Sequence, residues 1–199
     1  PVTTDRIRAE ILRSWAVPMI SRLSLHMTHM PKTNQLRPYT LKKVVPLEQL
    51  PASFDAGLRY NIYQGGMQSA AMVGMVERPL LFSGVCKTIE IPAVCGGQDY
   101  SIAFEGYVRV DYTHEVLFRL GSSDGAVLWL NGQRVLEHDE PHMFSHKIAS
   151  VWLERGMYRI KLQYTSFRNP GKLELCWSNP AYEFCPIDAG VLCCEKIPR

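Results

Sequence analysis

The chain has 199 residues, of which 46% are hydrophobic and 21% are charged, and its formal net charge at pH 7 is +3. This length and composition suit one globular domain with a full core, or one domain with an extension, and they exclude a disordered chain. The sequence contains no run of about 18 uncharged apolar residues, so it predicts no membrane-spanning helix.

The N-terminal part, residues 1–53, is predicted to be a basic arm that precedes the body. Residues 1–50 hold eight Lys or Arg residues against three acids, a net charge of +5, whereas the rest of the chain carries −2. Residues 4–17 are predicted to be helical, because Thr4 can cap the N-terminus and apolar residues repeat every four positions. Four prolines between residues 31 and 53 indicate an extended connector.

The arm is predicted to contact a partner, because a basic segment without its own core is stabilised mainly by packing on something else. An acidic protein surface or membrane headgroups would suit its charge, although a solvated linker explains the same composition. The residues expected at such an interface are the apolar stripe of the helix and the nearby arginines: Ile7, Arg8, Ile11, Trp15, Arg22 and Arg37.

From Gly57 onward the pattern changes to short segments with alternating apolar residues, which are typical of β-strands. Residues 57–65, 87–94 and 100–110 are three of them, and others follow at short intervals, with Gly or Asn in most gaps. This spacing predicts an all-β body over residues 54–199, either an antiparallel β-sandwich or a barrel.

The six cysteines leave two redox states open. An even number permits disulfides in an oxidising compartment, and two pairs have a spacing that suits local loop closure, whereas buried free thiols explain the same residues. No C-x-x-C pair is present, which argues against a zinc ribbon. The two pairs with that spacing are Cys86/Cys95 and Cys176/Cys185, and the remaining cysteines are Cys193 and Cys194.

Residues 120–142, LGSSDGAVLWLNGQRVLEHDEPH, contain two turn signals. Asn131-Gly132 between two apolar runs predicts a two-residue type I′ hairpin, because both positions of that turn need a positive φ. Asp124-Gly125 predicts a second turn, in which the aspartate side chain bonds to nearby backbone and the glycine is permissive. These signals predict hairpin structure and no chemistry.

Together with three other segments, this stretch resembles the protective-antigen-type (PA14-like) β-sandwich family over about residues 57–192, and most closely the versions fused to glycoside hydrolases. The other segments are GLRYNIYQGG, FEGYVRV and LERGMYRIKLQYTSFRNPGKLELCW. The resemblance implies an antiparallel β-sandwich that is not itself an enzyme. It rests on Gly106-Tyr107, the turn at residues 122–125, the Asn131-Gly132 hairpin, and Leu153, Gly156, Tyr158 and Tyr164.

Members of that family that bind sugars through calcium use two adjacent aspartates in the turn before an apolar strand. Here Ser123 replaces the first aspartate and Asp124 matches the second, which halves the charge offered to the cation and argues against calcium. Asp124 is then the one candidate metal ligand, and a hairpin-stabilising role is its alternative. The resemblance implies a candidate ligand-binding set of Ser123, Asp124, Asn131, Asp139 and His142.

Other chemistry has weaker support. His138, Glu140 and His146, with Asp139 and His142, could ligate zinc, but their spacing matches no closed site and Pro141 makes the segment a loop. No nucleophile elbow, phosphate-binding glycine loop or HExxH motif is present, so we expect no catalytic residue, no cofactor and no nucleic-acid partner. The strand aromatics, Trp177 among them, could stack on sugars, although core packing explains their spacing.

Two functions remain open from the sequence. The chain is either a non-catalytic accessory or structural subunit of a larger protein assembly, docked through its arm, or a carbohydrate-binding module of a secreted glycosidase or adhesin. Bridged cysteines are expected for the secreted module and free thiols for a subunit in a reducing compartment. The amphipathic, arginine-rich segment at residues 4–17 is similar to mitochondrial targeting segments, so an organelle interior is a further alternative.

Overall fold

The computed structural model describes residues 42–95, 99–139, 141–167, 171–178 and 183–196. The predicted N-terminal helix, Glu140 and all six candidate arm contacts (Ile7, Arg8, Ile11, Trp15, Arg22 and Arg37) therefore lie outside the described residues. Within the described ranges there is no α-helix, and no helix long and apolar enough to cross a membrane.

The described residues form thirteen β-strands and two short 3-10 turns, at Ala70–Met72 and Ala189–Val191, which confirms the predicted all-β class. The strands are β1 Lys42–Val44, β2 Phe54–Ala56, β3 Leu58–Gln64, β4 Leu80–Cys86, β5 Tyr100–Val110, β6 His114–Ser122, β7 Ala126–Leu130, β8 Gln133–His138, β9 Ser145–Leu153, β10 Gly156–Ser166, β11 Leu173–Ser178, β12 Cys185–Pro186 and β13 Leu192–Glu195.

The strands build two sheets. One has the order β1-β9-β6-β11-β12, and the other follows β2-β13-β5-β10-β7-β8, with β3 added to β5 and β4 added to β3. Every described pairing is antiparallel except that between β1 and β9. The two sheets bury one joint core, so the body is a β-sandwich.

Alternation along the strands places the core. In β5, Ile102, Phe104 and Val108 are fully buried, and in the facing sheet Phe118 and Leu120 of β6 are fully buried as well. Successive side chains of a strand point to opposite faces, so each sheet contributes one apolar face to the interior. The period-two pattern of residues 100–110 therefore predicted the inward face of β5 correctly.

The predicted turn at Asn131-Gly132 has the expected backbone, whereas the turn at Asp124-Gly125 differs from its prediction. Asn131 and Gly132 have φ of 48° and 76°, as a type I′ hairpin between β7 and β8 requires, and Asp124 has φ of 70°. Asn and Asp tolerate this left-handed region better than other residues with a side chain, because their short polar groups bond locally. Local signals were sufficient for the hairpin, but in the second turn Asp124, not Gly125, takes the positive φ. Its side chain accepts from Phe167, which is distant in sequence, and not from nearby backbone as predicted.

The predicted strand at residues 87–94 is wrong. The preceding segment, β4, is the strand, and the chain after it is irregular. Pro92 within it has no N–H to donate to a ladder. Ile89 is nevertheless 9% exposed and packs on the core, which explains the misleading apolar period. Sequence periodicity reported burial here, but not strand pairing.

Part of the predicted connector contributes to the sandwich. β1 pairs in parallel with β9, from Lys42 opposite Val151 to Val44 opposite Leu153, and Val44 is buried. Val44 belongs to the shared core, so the described fold begins before the predicted boundary at residue 54. Strand β1 has only three residues, and of these only Val44 is apolar, so the sequence showed no strand-like alternation there.

All six cysteines lie in the described part of the chain, and each is a free thiol there. Burial, the main cause, raises the pKa of Cys86 and of Cys95 to about 11 in each case. These two thiols are therefore protonated at neutral pH and are weak nucleophiles. No disulfide among the six contributes to the stability of the described sandwich.

Two glycines allow a matched test of backbone constraint. Gly57 and Gly65 both have positive φ, 97° and 82°, but a Cβ at position 57 would lie 2.3 Å from the Cys86 carbonyl oxygen, whereas position 65 is open. Gly65→Ala should lose about 1 kcal/mol of unfolding free energy from φ strain alone. Gly57→Ala should lose about 3 kcal/mol or more, because the strand pair must also separate. Urea unfolding measures both, and equal losses would contradict the steric argument.

Candidate functional site

The turn between β6 and β7 is the most constrained polar element of the described chain. Asp124 is fully buried, its N–H donates to the His142 carbonyl at 3.1 Å, and its Oδ2 accepts from the Phe167 N–H at 3.2 Å. Its Oδ1 is buried and has no hydrogen-bond partner among the described residues. The side chain therefore holds the segment after β10, while its backbone holds the segment after β8.

Ser123 adds a second tie to the segment after β10. Its N–H donates to the Lys172 carbonyl at 2.9 Å, and its Oγ accepts from the Lys172 N–H at 2.8 Å. The same Oγ lies 3.4 Å from the hydroxyl of Tyr164, a fully buried residue of β10. Both predicted residues of the turn thus position neighbouring loops at one end of the sandwich.

Asp139 lies next to this turn but its carboxylate is used structurally. It accepts hydrogen bonds from Ser69 Oγ, from the Ala70 N–H and, at 3.4 Å, from the Ala71 N–H. These donors belong to the start of the first 3-10 turn, whose orphan N–H groups need such acceptors. A Cβ on Gly125 would lie 2.6 Å from Asp139 Oδ1, so the glycine is what admits the carboxylate.

His142 is stacked on His138, with ring centroids 3.6 Å apart and an angle of 12° between the rings. Ser122 Oγ lies 3.5 Å from a nitrogen of each ring. Burial, followed by the charges of His142, Lys147 and His146, lowers the pKa of His138 to about 4. His138 is therefore neutral at pH 7, mainly because burial disfavours the charged imidazolium.

Asn131 lies at the other end of β7, away from this turn. Its Nδ2 donates to the Val45 carbonyl and its Oδ1 accepts from the Arg159 N–H, each at 2.6 Å. The structure therefore brings Ser123, Asp124, Asp139 and His142 together and leaves Asn131 apart. The two polar atoms of the Asn131 side chain thus bond to two separate backbone sites, one just after β1 and one in β10.

A cleft of about 290 Å³ lies beside Lys172, the residue that is bonded to Ser123 of the β6–β7 turn. The sequence alone did not identify the residues that line this cleft. Lys172 Nζ lies 5.6 Å from the ring centroid of Phe144, and the His146 ring meets that ring edge-on at 5.0 Å. His146 Nε2 also contacts the Glu174 carboxylate. The lining consists of Ile91, Phe144, Gly171, Lys172, Leu173 and Glu174.

Strand register positions Glu174, one of the residues that line this cleft, and no local motif predicted the cleft. Gly121 of β6 lies opposite His146 of β9 on one side and opposite Glu174 of β11 on the other. A Cβ at position 121 would lie 2.6 Å from Glu174 Cγ and 2.7 Å from His146 Cδ2. The glycine thus leaves room for two side chains from different strands to meet above it.

The described residues do not fit a calcium ion. Asp124 Oδ1 is one suitable ligand oxygen, but Ser123 Oγ already accepts from Lys172, and the Asp139 carboxylate is taken by three donors. Calcium takes six to eight oxygen ligands, usually with several carboxylates. Among the described residues, which leave out Glu140 of the histidine segment, no group of three His, Cys, Asp or Glu residues could hold a metal ion.

Comparison with known proteins agrees with the predicted family. The model of the family described as "PA14 domain" matches residues 92–190. No curated protein matches the sequence. The closer resemblance to the versions fused to glycoside hydrolases stays a prediction.

Solved structures share the fold at low sequence identity. The PA14 domain of the MpAFP antifreeze protein superposes with a TM-score of 0.63 at 16% identity, over 75% of this chain and 96% of that one. The PA14 sugar-binding domain from an RTX adhesin gives 0.58 at 14%, over 71% and 99%. The epithelial adhesin 9 A domain from Candida glabrata, in complex with Galb1-3GlcNAc, gives 0.60 at 12%, over 78% and 96%.

A larger protein contains the same fold. An anti-sigma factor domain-containing protein superposes with a TM-score of 0.62 at 18% identity, over 74% of this chain. The chain spans about half of that protein, 51% of its length. Identities this low establish a common fold and leave the activity open.

The stacked histidines predict a defined loss of stability in acid. The unfolded chain protonates His138 near pH 6.5 and the folded chain only near pH 4, so the unfolded state binds more protons between these values. Stability should be full above pH 6.5 and fall by about 3 kcal/mol as the pH decreases to 4. His138→Gln should remove that part of the slope in urea unfolding at several pH values. His114→Gln, at the other end of β6, is the control, and an unchanged slope in His138→Gln would refute the assignment.

Proposed function

The chain contains a PA14 domain, and we propose that it is a non-catalytic carbohydrate-binding module that holds a sugar in the cleft beside Phe144. Two of the structures that share its fold are described as a sugar-binding domain and as an adhesin domain in complex with a galactose-containing disaccharide. The fold alone does not carry the proposal, because one fold hosts many functions. The arrangement of side chains in the cleft supports it.

The observation that carries the proposal is an aromatic ring beside paired donor and acceptor groups. Phe144 is 37% exposed and borders the cleft, where its ring can receive the apolar C–H face of a sugar. Lys172 supplies hydrogen-bond donors and Glu174 supplies acceptors at the same rim. Sugar hydroxyl groups both donate and accept, so neighbouring hydroxyls suit such a pair.

The position of the cleft also suits recognition. Ser123 bonds to both backbone groups of Lys172, and Asp124 accepts from the Phe167 N–H, so the β6–β7 turn holds Lys172 at the edge of the cleft. A preorganised rim loses less conformational entropy on binding. We propose that binding does not require calcium, since the oxygens that a cation would need are largely used within the protein.

Matched phenylalanines test this site. Phe144→Ala should weaken binding of Galb1-3GlcNAc or beta-lactose by about tenfold, because a buried aromatic contact of about 1.4 kcal/mol is lost. Phe82→Ala is the control, since Phe82 is an exposed phenylalanine of β4 outside the cleft. Isothermal calorimetry in EDTA, repeated with added calcium, is the measurement. No binding by the unaltered chain in either condition would reject the function, and binding only with calcium would reject the cation-independent mechanism.

An interaction with other protein subunits is the second candidate function, and strand β4 favours it. Among the described residues β4 pairs only with β3, and it exposes Leu80, Phe82 and Val85, each more than half accessible. An open strand edge with apolar side chains is a surface on which another chain can add a strand. The predicted docking through the N-terminal arm stays a prediction, because that arm lies outside the described residues.

The second function predicts a change in native mass. If β4 docks on another subunit, Phe82→Lys should dissociate the complex, because the new charge would have to be buried at the interface. Phe144→Lys should leave the mass unchanged. Native mass spectrometry of the full chain, gently isolated with its partners, measures both. A single-chain mass for the unaltered protein would remove this function.

A further inference from the structure

A second cleft, of about 280 Å³, lies near the other end of β6. Its floor is apolar: Val110 and Val116 are almost fully buried at the end of the core, and Val191 borders them. Its walls and rim are formed by Arg109, Asp111, Tyr112, His114, Trp177 and Glu183. A volume near 300 Å³ is the lower end of the range for small-ligand sites and suits one sugar-sized ring.

Register places this cleft at the open end between the two sheets. Trp177 of β11 lies opposite Phe118 of β6, which is fully buried, so the two side chains share the inward face of their sheet. Glu174, in the first cleft, lies opposite Gly121 instead. His114, which lines the second cleft, is the first residue of β6, and Gly121, opposite Glu174 of the first cleft, lies near its end. At about 3.3 Å per residue, these two positions of β6 are about 23 Å apart.

Two aromatic rings face this space. Trp177 is half-buried, packs against the core cluster and lines the cleft, so it is fixed from behind. Tyr112 is 59% exposed, which core packing does not explain. A fixed indole beside an accessible phenol ring offers an apolar wall for a ligand with a flat apolar face.

The rim supplies both kinds of hydrogen-bonding group. Arg109 Nε and Asp111 Oδ1 form an ion pair of 2.8 Å, which leaves the guanidinium with further donors and the carboxylate with further acceptor positions. Glu183 is exposed and adds acceptors. His114 Nδ1 lies 2.6 Å from the Tyr112 carbonyl, a contact that orients the imidazole. The mixture of charges favours no strongly ionic ligand.

From this geometry we propose that the second cleft binds one neutral hexose ring, stacked on Trp177 with its hydroxyls at the Arg109–Asp111 rim. The inference shares its ligand class with the proposed function and none of its residues. Two sugar-binding clefts on one domain would let it bridge two glycan branches, which raises apparent affinity for multivalent surfaces through effective concentration.

The experiment follows the indole signal of Trp177 by ¹H–¹⁵N NMR during titration with galactose and with N-acetylglucosamine. Trp177→Phe assigns the signal, and Trp129, whose indole N–H donates to Gln163 at 2.7 Å elsewhere in the sandwich, is the internal reference. The Trp177 signal should shift and saturate. Tyr112→Ala should weaken the apparent affinity about fivefold, and Phe144→Ala should leave it unchanged.

The outcomes separate the two sites. A Trp177 signal that does not move with either sugar overturns this inference, even where calorimetry finds Phe144-dependent binding. A saturable shift that Tyr112→Ala does not weaken overturns it as well, because the cleft then does not hold the sugar. A shift weakened by Tyr112→Ala, in a chain with no Phe144-dependent binding, supports the second cleft and rejects the first.

Discussion

The pairing of β5 with β10 is the constraint on which the rest of the sandwich depends. These strands pair over eleven residues, from Gly156 opposite Val110 to Ser166 opposite Tyr100. A slip by one residue would turn every inward side chain outward, so the buried face fixes the register. β7 then pairs with the free side of β10, and β3 and β13 pair with β5. The ladder thereby sets the position of the β6–β7 turn, since Tyr164 of β10 meets Ser123 within it.

At the loop end, the polar residues that attract attention in the sequence perform mainly structural work. Asp124 holds Phe167, Ser123 holds Lys172, and Asp139 binds the start of a 3-10 turn. Most buried polar groups have hydrogen-bond partners, and these side chains bond to the backbone of neighbouring segments, except that Asp124 Oδ1 has no partner among the described residues. The ring of Phe144, in the cleft proposed to bind a ligand, remains partly accessible. The proposed site would therefore place structural and recognition roles on adjacent residues of the same loops.

β11 serves both proposed clefts. Its residue Glu174 reaches one and Trp177, three positions later, reaches the other, because successive strand residues alternate between faces. The outward carboxylate meets His146 over Gly121, and the inward indole closes the open end of the core. A single strand can therefore present a charged group and an aromatic ring in different directions without a specialised loop.

Residue patterns alone predicted the all-β class, the inward face of β5, the Asn131-Gly132 hairpin and the position of the turn at Asp124-Gly125, because these depend on local backbone preference and on period-two burial. Strand pairing could not be predicted from these patterns, because residues 87–94 have the apolar alternation of a strand but do not form one. Contacts between distant segments required the tertiary structure, for example Phe144 with Lys172 and Asp139 with Ala70. Such neighbours are brought together by register between strands distant in sequence, and register is settled by the packing of the whole core.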